Sequence, residues 1–164
     1  MTKNNPHAGL FLICRSAGYR CALPLDSITE IMRPLPLERI PDSPTDGAPR
    51  LPPFLLGASV VRGALMPVIS LARLLGTDTE PKRYVSIKLG RRAAALAVDE
   101  VDGIRQLDCL DGLGNMELSP LLHALEDSAI GIIATLDSEL LLVLQATRLI
   151  PEDLWLAITA QAPL

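Results

Sequence analysis

Histidine, cysteine and clustered carboxylates are where chemistry would be sought first, and this chain offers few of each. It has two histidines, His7 and His123, and neither stands near a recognisable nucleophile motif. General acid–base work needs such a group within reach of a second one, and the spacing supplies none. The cysteines are Cys14, Cys21 and Cys109, an odd number with no CxxC pair. That pattern argues against a disulfide framework or a zinc site and fits a reducing, cytoplasmic setting. Cys14 and Cys21 read as buried cross-strand neighbours in a first hairpin. The run "DGLGN" (111–115) lacks the lysine and the strand-then-helix context of a phosphate loop and reads as a turn. In "VDEVDG" (98–103), Asp99, Glu100 and Asp102 fall short of a calcium loop, which needs a longer alternating run and a closing glutamate. No metal, no cofactor and no enzymatic activity are therefore expected.

The stretch "VVRGALMPVISL" (60–71) poses a different question. Arg62 and Gly63 lie between two apolar runs, as the turn of a hairpin would. On spacing alone Arg62 is either the solvated tip of that turn or a contact residue. Pro67, inside the second run, predicts an edge strand, because proline has no N–H to give to a neighbouring ladder.

The elements that position these residues are short apolar runs bounded by turn signals. "GLFLICR" and "CALPL" form a first hairpin, "FLLGASVV" and "ALMPVI" a second, "YVSIKL" and "AAALAV" a third, and "AIGIIAT" and "ELLLVL" a last one turning at Asp137 and Ser138. "SLARLLG" (70–76) reads as a short helix with Ser70 as N-cap and Gly76 past its end. A second helix follows Pro151, and its Trp155 either packs on the barrels or faces a partner. "SPTDGAPRLPP" (43–53) reads as an irregular loop, and 108–128 as mostly loop with one helical turn near 120–125. A shift of 75 residues lays 62–75 over 137–150, so turn, strand and short helix recur. Many short strands without βαβ units predict an all-β barrel or sandwich, and the repeat suggests two similar small β subdomains.

Composition agrees with this. Hydrophobic residues make up 49% of the 164 residues and aromatics only 3%, so the core is built from aliphatic side chains, with Val68 and Val98 among them. The net charge is −4 and basic residues are scattered, which argues against nucleic acid as a partner. No segment reaches the roughly 20 apolar residues of a membrane span.

Residues 57–71 resemble the CheW-like domain of bacterial chemosensory adaptors, in which a glycine, then "NLRG", then "PVIDL" is the telling pattern. Gly57, Arg62, Gly63, Pro67, Val68, Ile69 and Leu71 occupy the matching positions. "ALPLDSITEI" (22–31) and "ALAVDEVDGI" (95–104) resemble two further family segments, in the right order, and the likeness runs from about Leu10 to Ile150. It implies two SH3-like five-stranded β-barrel subdomains sharing a hydrophobic core. The whole chain, 1–164, is then one domain: a disordered tail over 1–9, intertwined subdomains meeting near 77–84, and a terminal helix over 151–164. The implied role is not catalysis but coupling of chemoreceptor tips to the regulatory domain of a CheA-type histidine kinase, in the cytoplasm and at receptor arrays. The partner-binding residues so implied are Arg62, Gly63, Glu30, Gly57, Val60 and Ile28, with Glu30 and Arg62 as an ion pair. Departures are Val60 for the family's asparagine, Ser70 for its aspartate, Gln145 for the second-half aspartate, and a longer loop between Ile40 and Phe54. They suggest a specialised paralogue serving a dedicated receptor and kinase in a pathway that does not control swimming, with a diverged paralogue that binds only one partner as the alternative. A small ligand-binding barrel or hydrolase is the rival from another class.

Overall fold

The computed structural model describes residues 9–40, 51–107 and 130–161. His7, His123, Cys109, "DGLGN", the helical turn expected near 120–125 and most of the proline-rich loop lie outside them. Among the described residues there are ten strands: β1 Gly9–Ser16, β2 Tyr19–Pro24, β3 Ile28–Met32, β4 Leu55–Val61, β5 Ala64–Ser70, β6 Arg83–Leu89, β7 Arg92–Val98, β8 Glu100–Leu107, β9 Ile130–Leu136 and β10 Glu139–Leu144. Helix α1 spans Leu71–Leu74, and α2 spans Glu152–Gln161.

The strands form two five-stranded sheets, ordered β8-β1-β2-β10-β9 and β3-β6-β7-β5-β4. Each sheet therefore joins a hairpin from one half of the chain to three strands from the other. The repeat is visible in this order, since β10 lies parallel to β2 as β5 lies parallel to β7. Neither half is a sheet by itself, so the two halves stabilise each other. After β3 the chain crosses to the far edge of its sheet, where Glu38 and Ala58 exchange two backbone hydrogen bonds of 2.6 and 2.8 Å. That bridge closes the sheet towards a barrel and covers the edge of β4, which would otherwise present unpaired backbone groups.

Each sheet carries a buried cluster on both of its faces. The largest cluster joins the sheets, with Leu12, Cys14, Cys21, Leu23 and Leu142 from one and Ile69, Val85, Ile87, Leu96 and Val98 from the other. A smaller cluster lies on the opposite face of each, around Phe11, Ile13, Leu141 and Val143 in one and Val61, Met66, Val68 and Tyr84 in the other. Hence the alternation of "YVSIKL" separates two faces but not inside from outside: Tyr84 and Ser86 are buried as well as Val85 and Ile87. Ser86 is tolerated there because its hydroxyl meets Thr29 Oγ1 at 2.9 Å.

The expectation for Pro67 is corrected. β5 is an inner strand, between β4 and β7. Pro67 faces Ala58 on β4, but Ala58 gives both its backbone groups to Glu38, so that pair has no ladder bond to lose. On the other side, the register with β7 begins one residue later, at Val68 and Ala95. A proline one residue before the parallel ladder begins removes no donor that the sheet uses.

The helices follow their sequence signals. Ser70 accepts a 3.2 Å bond from Arg73 N and so caps α1, and Gly76 has φ +88° just beyond the end. In α2, Leu154, Trp155 and Ile158 are buried against the main cluster, which settles Trp155 as a packing residue. Arg92 lies 5.1 Å from the Trp155 ring centroid and binds Glu152 through two hydrogen bonds of 2.8 and 3.0 Å. The third hairpin thus clips the helix in place.

Candidate functional site: the hairpin tip at Arg62

The tip of the β4–β5 hairpin consists of Arg62 and Gly63, both with positive φ (+50° and +81°), as a two-residue type I′ turn requires. Such turns favour Asn or Gly at their first position, and arginine there is less comfortable. The backbone does not select for arginine, so the side chain is the feature to explain. Its Nε donates to Glu30 Oε2 at 2.8 Å and its Nη2 to Glu30 Oε1 at 3.2 Å, a fork-to-carboxylate pairing.

Glu30 comes from β3, the strand at the other edge of the same sheet, so barrel closure is what brings acid and base together. The hydrogen bond from Arg62 holds the Glu30 carboxyl below its ordinary pKa, against a smaller opposing effect of desolvation. The guanidinium stays 80% exposed, and its Nη1 amine has no partner among the described residues. It is thus an oriented donor aimed at solvent. Val60, on the same hairpin and opposite Leu65, is 53% exposed. The tip therefore presents one fixed cation beside an aliphatic surface, a composition suited to protein contact.

Of the six residues singled out in the sequence, four meet here: Arg62, Gly63, Glu30 and Val60. The other two lie apart from the tip. Gly57 is buried at a bulge near the opposite end of β4, with φ +149°, and an added Cβ would stand 2.6 Å from the Glu38 carbonyl oxygen. Ile28 faces Ile87 across β3 and β6 and packs, half-buried, on the main cluster. Both help to hold β3 and β4 where Glu30 and Arg62 can meet.

No other chemistry emerges among the described residues. Cys14 and Cys21 are directly paired across β1 and β2 and fully buried. Burial, with a smaller effect of Asp102, pushes the Cys14 thiol up to about 12, and burial likewise raises that of Cys21. Neither is a nucleophile at neutral pH. Asp99 accepts bonds from Ala17 N at 3.0 Å and Thr79 Oγ1 at 2.5 Å, so it is a structural tie. No group of three or more metal-ligating side chains occurs among the described residues. A cleft near the far end of β4, lined by Arg39, Ile40, Pro52, Leu55 and Arg73 among others, carries no histidine, cysteine or carboxylate among the described residues. No helix is long and apolar enough to cross a membrane among the described residues.

A second cluster escaped the residue-by-residue reading. At the turn between β9 and β10, Asp137 Oδ2 meets Arg105 Nη1 at 3.1 Å and Arg20 Nη2 at 3.9 Å. Arg20, only 11% exposed, also donates to the Leu136 carbonyl at 3.2 Å and approaches Glu139 at 3.5 Å. The 75-residue shift pointed to it, since that shift lays Arg62 on Asp137.

Comparison with known proteins places this arrangement. The family model described as the CheW-like domain matches residues 10–153. Among solved structures, the scaffolding protein TtCheW from Thermoanaerobacter tengcongensis is similar, with a TM-score of 0.69 and 18% sequence identity over 90% of this chain and 95% of that one. No curated protein sequence matches.

Proposed function

Because the chain belongs to the CheW-like domain family, we propose that it is a non-enzymatic adaptor, coupling the cytoplasmic tip of chemoreceptors to the regulatory domain of a CheA-type histidine kinase. The observation that carries the reading is the Arg62–Glu30 pair: an exposed guanidinium, held by two hydrogen bonds at a turn that does not need an arginine. An exposed ion pair adds little stability in general, so its use lies in presenting the remaining donors in one orientation. A partner carboxylate or backbone carbonyl can take them, while Val60 and Gly63 permit close approach. Gly57 and Ile28 serve this surface from behind, by fixing the strands. The working location is the cytoplasm, at receptor arrays.

A second reading is a paralogue serving a single partner, favoured by Val60 where the family has asparagine. An aliphatic side chain offers packing but gives up a hydrogen-bonding group, which alters whom the tip accepts. Titration calorimetry with the kinase regulatory domain and, separately, with a receptor-tip fragment distinguishes the two. An adaptor binds both, and Arg62→Ala weakens at least one without loss of fold. Binding of one partner alone supports the second reading, and unchanged binding of both by the Arg62→Ala chain refutes the role given to Arg62.

A further inference from the structure

The molecule has two equivalent hairpin tips, and their charges are reversed. Arg62 and Gly63 at the first correspond to Asp137 and Ser138 at the second, and all four residues have positive φ. β8 stands beside β1 as β3 stands beside β6, each as the edge strand of its sheet. The first tip pairs its turn cation with an acid from β3, and the second pairs its turn anion with Arg105 from β8. The outermost charge is the guanidinium at the first tip, whereas at the second Asp137 and Glu139 are the most exposed, at 59% and 54%. Val60 at the first tip is replaced by exposed, polar Thr135 at the second.

We infer that this reversal is a discrimination device: Asp137 and Glu139 keep the partner of the Arg62 tip off the otherwise similar second tip. The inference rests on the proposed role of Arg62. A fold with an internal repeat presents any partner with two nearly equivalent docking geometries, and attraction at one does not prevent occupation of the other. A carboxylate suited to Arg62 would meet Asp137 at the second tip, and like charges at short range lower affinity most where salt is low. Specificity of this kind comes from a repulsive element as much as from an attractive one. The cations Arg15, Arg20 and Arg105 behind Asp137, Glu139 and Asp102 hold the carboxylates in place and balance their charge in sum, so the repulsion acts at short range, from the exposed carboxylate oxygens.

The test exchanges the pair, Asp137→Arg with Arg105→Glu, adding Glu139→Gln. The pair between positions 137 and 105 can re-form with opposite polarity, but Arg20 loses both of its nearby carboxylates, so circular dichroism checks the fold. The probe is whichever of the kinase regulatory domain and the receptor-tip fragment loses affinity for Arg62→Ala; if neither does, the underlying reading fails instead. At low salt the unaltered chain should bind one equivalent, and the exchanged chain a second, with affinity at the new site raised about tenfold or more. One equivalent in both chains, or two already in the unaltered chain, overturns the inference. Should the exchanged chain not fold, Asp137→Asn with Glu139→Gln removes the repulsion alone, and failure to gain any second-site binding counts equally against it.

Discussion

Replacing Gly57 by alanine separates architecture from contact at this surface. The added methyl would stand 2.6 Å from the Glu38 carbonyl oxygen, and the backbone at φ +149° is in a region that side chains rarely adopt. Relief requires the Glu38 backbone to retreat, and Glu38 is the residue that closes the barrel through its two bonds to Ala58. Backbone strain of about 1–3 kcal/mol adds to weakening of two hydrogen bonds worth about 1 kcal/mol each. The expected loss is about 2–4 kcal/mol. With a urea slope of about 2 kcal/mol per molar for a domain of this size, the unfolding midpoint should fall by about 1–2 M. Urea denaturation followed by circular dichroism measures this directly. Partner affinity, measured well below the new midpoint, should change less than on Arg62→Ala, since Gly57 is buried. A chain of unaltered stability that no longer binds partner would refute this reasoning and return Gly57 to the contact surface.

Other outcomes follow from the same geometry. Val98→Asp places a carboxylate where exposure is 0%, within the cluster joining the sheets; the cost, several kcal/mol, should leave the chain insoluble or without its β-sheet dichroism, and a soluble native-like variant would contradict the shared core. Glu30 should titrate by carbon-detected NMR below the ordinary glutamate range, returning to it in Arg62→Ala. Since its folded pKa is the lower one, the pair's contribution is present above the unfolded pKa and is lost as pH falls through the folded value. Arg92→Ala removes the contacts to Glu152 and Trp155. The tryptophan emission should shift to the red as the helix loosens, and an unchanged spectrum would show that the contacts of Arg92 are not what holds α2.

What the sequence discloses depends on the range of the interaction. Turns are local, and Arg62–Gly63, Asp137–Ser138 and the Ser70 cap were all legible because their chemistry is contained in two to four residues. The Glu30–Arg62 pair is not local and came from resemblance to a family, since no spacing rule relates residues on opposite edges of a sheet. Tyr84 shows the opposite failure. Alternation identifies a face, but whether that face meets water depends on a sheet curling over it, a property of strands far away in the chain. The place of Pro67 on an inner strand is hidden for the same reason: its tolerance depends on Ala58 being engaged by Glu38, a third segment.

The internal repeat connects these points. A duplicated fold supplies two tips whether or not both are useful, and the backbone frame is free to recur while the side chains at the tips diverge. That is the pattern here. The turns keep their left-handed backbone and the parallel strand pairings recur, yet Arg62 is matched by Asp137 and Val60 by Thr135. Opposite charges on outward side chains of a shared frame are what selection for different neighbours would leave. Selection for stability alone would not account for opposite charges at equivalent turns, because either polarity can be paired, and each of them is.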